Sequence, residues 1–231
     1  MEILNVEQGT KEWSDARRCM ITGTKLDDVM GTSLAQVQLI CELIAEEATE
    51  QTKMTRMTDE MQRGSDEEEF AVKLFEEVHS KELVRGGMWR SDEYDFLACS
   101  PDAYVVDPSG DVLEAVEVKN PDSKTVIFDR LVNLVPHDEL GLTKSKIPFL
   151  GIPAQYKYQC INYFLVNRKL QKLHFVIHDA RFIDPKAKLS VITLDRSNEV
   201  LQDEITATEQ ALIAFRAKWL AWKEIVLPDN F

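Results

Sequence analysis

Two apolar runs, AYVVD at 103–107 and VLEAVEVK at 112–119, flank Pro108, Ser109 and Gly110, and no other stretch narrows the fold as far. β-branched residues on either side of such a turn specify an antiparallel hairpin. With the axis between Ser109 and Gly110, Asp102 stands opposite Glu117. Like charges with Cβ atoms about 4.5–5.5 Å apart destabilise a ladder unless a cation lies between them. Lys119, two residues beyond Glu117, projects to the same face, whereas Val116 and Val118 turn the other way into a core. Mg2+ suits this arrangement, because it binds through one or two carboxylates, keeps waters and takes phosphate oxygens as further ligands. It acidifies a bound water and neutralises charge on a phosphoryl oxygen, and Lys119 would hold or deprotonate the attacking water. On the hairpin alone a plainer alternative stays open: Asp102 closes a turn, Glu117 lies on a solvated face, and Lys119 pairs with it as edge charges do.

The rest of the chain supplies helices and further strands. Thr10 is placed to cap KEWSDARR, Thr24 to cap KLDDVMG with Gly31 as its stop, and Ser33 to cap LAQVQLICELIAEEA, whose core stripe reads Leu34, Val37, Cys41, Ile44 and Ala45. A polar loop over 49–65 leads into the helix DEEEFAVKLFEEVHS, its acidic first turn suited to the positive end of a helix dipole. Short strands in a meander fill 83–119. A helix, TVIFDRLVNL, and a Gly-, Pro- and Lys-containing loop long enough to be functional or contact-forming then follow. A helix from Pro153 through AQYKYQCINYFLVN precedes the strands LHFVIHDARF and LSVITLD and a terminal helix from about Ser197 to Ile225. This order predicts a mixed α/β fold, a central sheet flanked by helices, in one domain over 1–231.

Composition bears on partners and compartment. At 231 residues and 44% hydrophobic the chain can bury one core. A net charge of −13 repels polyanions on average, although a basic strip or bound divalent cations reverse the sign locally. Cys19, Cys41, Cys99 and Cys160 show no metal-finger or disulfide spacing and predict buried, reduced thiols. No run reaches the roughly 18 apolar residues that span a bilayer, and the first residues carry no basic flank before an apolar run; a cytoplasmic protein without membrane contact is expected.

Ser100-Pro101-Asp102 and Glu117-Val118-Lys119 resemble the PD-(D/E)xK nuclease signature. Trp13 and Arg17, followed by Ile21-Thr22-Gly23-Thr24, resemble the W-x-x-x-R…I-T-[AG]-[ST] opening of the phage lambda exonuclease family, also called the YqaJ-type viral recombinase family. Gly64 to Glu68 resembles its G-x-x-x-E segment, and Tyr156 to Gln159 its Y-x-x-Q helix. The motifs keep the family's order. The resemblance implies a restriction-endonuclease-like core in which Asp102, Glu117 and the main-chain carbonyl of Val118 bind Mg2+, with Mn2+ able to substitute, and Glu68 approaches a second ion. It implies that Lys119 serves the attacking water, that Gln159 positions it, and that Tyr156 orients Gln159 or supports the wall. Arg17 and Thr24 would receive the 5′-phosphate, for which a charged fork and a small hydroxyl are apt. It further implies 5′-to-3′ degradation of one strand of double-stranded DNA from its ends, with a 3′ tail left, a toroidal homotrimer, and a single-strand annealing recombinase as partner. Such an enzyme would work in a bacterial host cell and be of phage or prophage origin.

The chain departs from the family in carrying Ile161 where a second Gln is frequent, and TVIFDRL does not clearly match the family's downstream basic residues. Met61 falls near a position where relatives carry a strand-separating wedge, although a plain Met is the simpler reading. His174 and His178 share parity on one strand but lack a nearby third ligand and read as structural. RAKWLAWKE reads as packing on an amphipathic helix rather than a base-stacking platform. The rival functions are an endonuclease or Cas4-type nuclease of the same superfamily, the latter disfavoured by the missing cysteine cluster, and an inactive DNA-binding or assembly module.

Overall fold

The computed structural model describes residues 1–52 and 59–227. Its elements run β1 (Glu2–Leu4), α1 (Lys11–Ala16), α2 (Gly23–Val29), α3 (Ser33–Thr49), α4 (Asp59–His79), β2 (Val84–Arg85), β3 (Met88–Arg90), β4 (Ala98–Cys99), β5 (Ala103–Val106), β6 (Val112–Lys119), α5 (Ser123–Leu134), α6 (Lys157–Val166), β7 (Lys172–His178), β8 (Leu189–Asp195) and α7 (Glu199–Val226). A mixed sheet has the order β2-β5-β6-β7-β8, and β1, β3 and β4 form a small antiparallel sheet. Within the larger sheet only β6 and β7 are parallel. Parallel neighbours need a crossover, and α5 and α6 make it.

The hairpin follows its turn. Ala103 faces Val116, Tyr104 faces Ala115 and Val105 faces Glu114 before a bulge at Val105/Val106. Asp107 holds the turn, its carboxylate accepting the N–H groups of Ser109 at 2.9 Å and Asp111 at 2.8 Å, while Gly110 takes a φ of +88° that side chains resist. Both faces of β6 are covered. Val116 and Val118 join Val176 in a cluster with Ala71, Val72 and Phe75 of α4. On the other face Ala115, Phe175 and Ile177 share a core with Tyr163 and Phe164 of α6, and α2 and α7 pack on that helix in turn.

Several expectations shift. α2 is capped by Thr22 rather than Thr24, and α3 by Thr32, whose hydroxyl accepts the Ala35 N–H at 3.3 Å, rather than Ser33. The buried stripe of α3 is Leu39, Ile40, Leu43 and Ile44, whereas Leu34, Cys41 and Ala45 are exposed. Lys25 of α2 explains the rotation, since it pairs with Glu42 and Glu46 and turns that side of α3 inward. Cys99 and Cys160 are buried as expected, whereas Cys19 is half-buried and Cys41 exposed; all four thiols are free. Of the loop expected over 49–65, residues 53–58 lie outside the described ones, and those from Asp59 onward are helical. This polar start of α4 is tied to the end of β6: Arg63 donates to the Asn120 carbonyl at 3.1 Å and the Asn120 amide to the Gly64 carbonyl at 2.9 Å. The helix after Pro153 opens with one 3-10 turn, Ala154–Tyr156.

Phe75 is fully buried and stacks on His79 at 4.4 Å. Phe75→Ala is expected to lower the unfolding free energy by about 3–5 kcal/mol in urea titrations. A loss below about 1 kcal/mol would mean that α4 does not cover the sheet through this ring.

Candidate active site

Glu117 is 2% exposed, so the solvated-face alternative fails. A buried carboxylate needs donors, and α6 and β6 supply three. Gln159 Nε2 donates to Oε1 at 2.6 Å, Lys119 Nζ meets the same oxygen, and the Tyr163 hydroxyl donates to Oε2. Gln159 and Tyr163 are one turn apart on α6 and therefore share a face.

Asp102 arrives differently from the hairpin expectation. β5 begins at Ala103, so Asp102 and Glu117 are not ladder partners. The Asp102 N–H reaches the Val116 carbonyl at 3.2 Å, and its Oδ2 accepts the Val118 N–H at 2.6 Å. A side-chain oxygen thus replaces a main-chain acceptor, which avoids the directly opposed like charges that a continued ladder would impose. Within a strand a residue's N–H and C=O point to the same edge; the Val118 carbonyl accordingly points past the start of β5, toward Asp102.

The site is short of positive charge. Burial, then Glu117 and Glu68, push the Asp102 carboxyl well above the usual range. Burial and Glu117 likewise raise Glu68, against Lys119. Burial opposes the charge on Lys119, yet Glu117 and Asp102 outweigh it and hold its pKa above the ordinary lysine value. Among the described residues no three Asp, Glu, His or Cys side chains converge tightly enough to enclose a metal by themselves. Two carboxylates and the Val118 carbonyl nevertheless fit Mg2+, which requires few protein ligands and reserves positions for water and phosphate.

Lys119 Nζ lies 5.2 Å from the Tyr156 ring centroid, and that ring packs on Phe175 at 5.3 Å. Tyr156 therefore supports the lysine and the wall. Arg17 follows α1 and stacks on Trp13 at 4.1 Å while donating to Thr22 Oγ1 at 3.2 Å. Burial lowers its pKa, against the nearby Tyr163 and Glu46. Thr22 Oγ1 lies 3.5 Å from Thr24 Oγ1, so Arg17 and Thr24 meet through Thr22, whose hydroxyl makes no cap bond. Gly23 abuts Gln159: a Cβ there would fall 2.8 Å from its Cγ. The opening motif is thereby packed against the helix that serves Glu117.

Sequence reasoning missed Tyr163 and Thr22. Tyr163 carried one signal, its position a turn beyond Gln159; Thr22 carried none beyond its place in the motif. His174 bonds Glu114 at 2.7 Å and Thr193 at 2.9 Å, whereas His178 bonds Asn120 at 3.0 Å. Separate partners fit their structural reading. The Met61 side chain lies outside the described residues.

The mixed sheet, with its acids at the end of the hairpin and helices on both faces, is a restriction-endonuclease-like PD-(D/E)xK fold. A model of the YqaJ-like viral recombinase domain matches residues 12–169, and the chain belongs to that family. Among solved structures, an alkaline exonuclease, LHK-Exo, from Laribacter hongkongensis matches at 22% identity with a TM-score of 0.72, covering 94% of this chain and 96% of that one. LHK-Exo in complex with dAMP matches at 23% identity and TM-score 0.71, over 94% and 96% of the two chains. A phage related exonuclease from Haemophilus somnus 129PT matches at 15% identity and TM-score 0.58, over 87% and 95%. These likenesses show a shared fold. No curated protein matches the chain.

Proposed function

We propose that the protein is a Mg2+-dependent 5′-to-3′ exodeoxyribonuclease, one nuclease domain over 1–231, that degrades one strand of linear double-stranded DNA to 5′-mononucleotides and leaves a 3′ tail for phage-type recombination. The observation that carries this reading is a buried Glu117 grouped with Asp102 and Lys119, where acids outnumber the one ammonium, in a chain of the YqaJ-like family. Solved structures of the same fold are described as exonucleases.

Asp102, Glu117 and the Val118 carbonyl would hold Mg2+ or Mn2+, and Glu68 a second ion. When bound, the metal supplies a more acidic water and neutralises phosphoryl charge. Lys119 enters protonated, because its pKa is raised, so its first role is to hold the attacking water and stabilise charge growing on the phosphate. Gln159 spends its amide N–H on Glu117 and keeps its carbonyl oxygen to accept from that water. Arg17 and Thr24 receive the 5′-phosphate. A homotrimeric ring could line its channel with basic residues while the outside carries the acidic balance, and the exposed strand would pass to an annealing recombinase in the bacterial cytoplasm. No helix among the described residues is long and apolar enough to cross a membrane.

A 5′-phosphorylated linear duplex should lose 5′-mononucleotides, while a covalently closed circle of the same sequence stays intact. Cutting of the circle would favour the endonuclease reading instead. Tyr163→Phe removes one hydrogen bond to a buried carboxylate, worth about 1.5–3 kcal/mol, and should slow degradation about 10- to 100-fold with the fold retained. An unchanged rate would leave Tyr163 a packing residue only.

A further inference from the structure

A cavity of about 170 Å3 opens between α5 and the segment from Lys146 to Gln155, lined by Phe128, Asp129, Asn133, Lys146, Pro153 and Gln155. Chain neighbours connect it to the site described above. The turn that forms one wall ends in Tyr156, whose ring lies beside Lys119, and α5 begins at Ser123, just past the end of β6. Asp129 is 8% exposed, and among the described residues no donor bonds its carboxylate. Asn133, one turn on, spends its amide on the main-chain carbonyls of Asp129 at 2.9 Å and Gly151 at 3.1 Å. Burial pushes the Asp129 carboxyl up to about 6, the mark of an acid that its neighbours leave unanswered. A carboxylate with no donor among its described neighbours can accept one from a ligand that enters the cavity it lines.

The cavity's shape restricts what that is. Its volume holds about five waters and falls below the 300 Å3 or so of a drug-sized ligand site, so one small ring system fills it. Phe128, Pro148 and Pro153 offer flat apolar walls, against which a heterocycle stacks. A carboxylate that lines such a slot accepts from ring-edge amino groups, as acidic side chains do from cytosine N4. Lys146 can meet an adjoining phosphate.

We propose that this cavity is a subsite for one unpaired nucleobase of the strand being degraded, and that Asp129 selects bases with an exocyclic amino group, favouring cytosine, adenine and guanine over thymine. Thymine presents carbonyls on both sides of its single ring N–H, so it sets an acceptor against the carboxylate. The subsite rests on the reading of the protein as a deoxyribonuclease.

Mononucleotides contain no phosphodiester bond to cut, so binding separates from catalysis. In calorimetric titrations of the full-length chain with Mg2+ present, dCMP should bind about tenfold tighter than dTMP. Asp129→Asn, which offers an amide N–H as well as a carbonyl, should bring the two within about twofold. Equal affinities in the wild type, or a preference untouched by Asp129→Asn, overturn the subsite; should the variant fail to fold, the wild-type comparison decides alone. Degradation of linear duplex without any base preference in binding would sink the subsite and leave the nuclease reading standing. An Asp129-dependent preference in a chain that cuts no DNA would do the reverse.

Discussion

Lys119→Ala is expected to fold as the wild type does and to release nucleotides at least about 10³-fold more slowly. The side chain is partly exposed at the end of β6 and fills no part of the two apolar clusters, so its removal leaves the packing in place. It does remove the ammonium that meets Glu117 and opposes the shared negative charge of Asp102 and Glu68. Beside the buried carboxylate of Glu117 that charge acts on the transition state through a dielectric below that of water. Lys119→Arg should not rescue the rate, because a planar fork cannot occupy the position of a compact ammonium above Tyr156. Digestion at the normal rate by a folded alanine variant would remove Lys119 from the mechanism.

Asp102→Ala should weaken divalent-cation binding at least about 100-fold, read directly by calorimetry with Mg2+ or Mn2+. The Asp102 carboxylate is held above its usual pKa by burial, Glu117 and Glu68, so a proton would compete with the metal for it. Affinity in the wild type should therefore rise with pH as that proton is given up, and binding should release protons to the buffer. If a second ion binds, Glu68→Ala should lower the stoichiometry while leaving the first site. Unchanged affinity in Asp102→Ala, or binding that tightens as the pH falls, would place the metal elsewhere.

Much of this was legible from the residues because local periodicity and the family motifs agree. The hairpin register follows from the turn, β7 and β8 from short apolar runs, and α7 from helical spacing. Helix starts were less legible wherever hydroxyls crowd together: Thr22 and Thr24, or Thr32 and Ser33, offer the same capping chemistry, and tertiary contacts choose between them. The facing stripe of α3 was misread because apolar residues occur around much of its circumference, and the ion pairs of Lys25 select which side turns inward. Asp102 leaves the ladder through a bond from its own side chain to Val118, which no pattern of hydrophobicity encodes. Tyr163, one turn beyond Gln159, gains its role from the parallel pairing of β6 and β7, whose crossover sets α6 on the face of the sheet that carries Glu117.

The claim that these acids work through a bound divalent cation is tested most directly by adding Mg2+ back, in steps, to chelator-treated protein on a 5′-phosphorylated linear duplex and measuring released nucleotide. Release should be absent in EDTA and should rise with free Mg2+ to saturation. Full digestion in EDTA, or none at any concentration of Mg2+ or Mn2+, would contradict it.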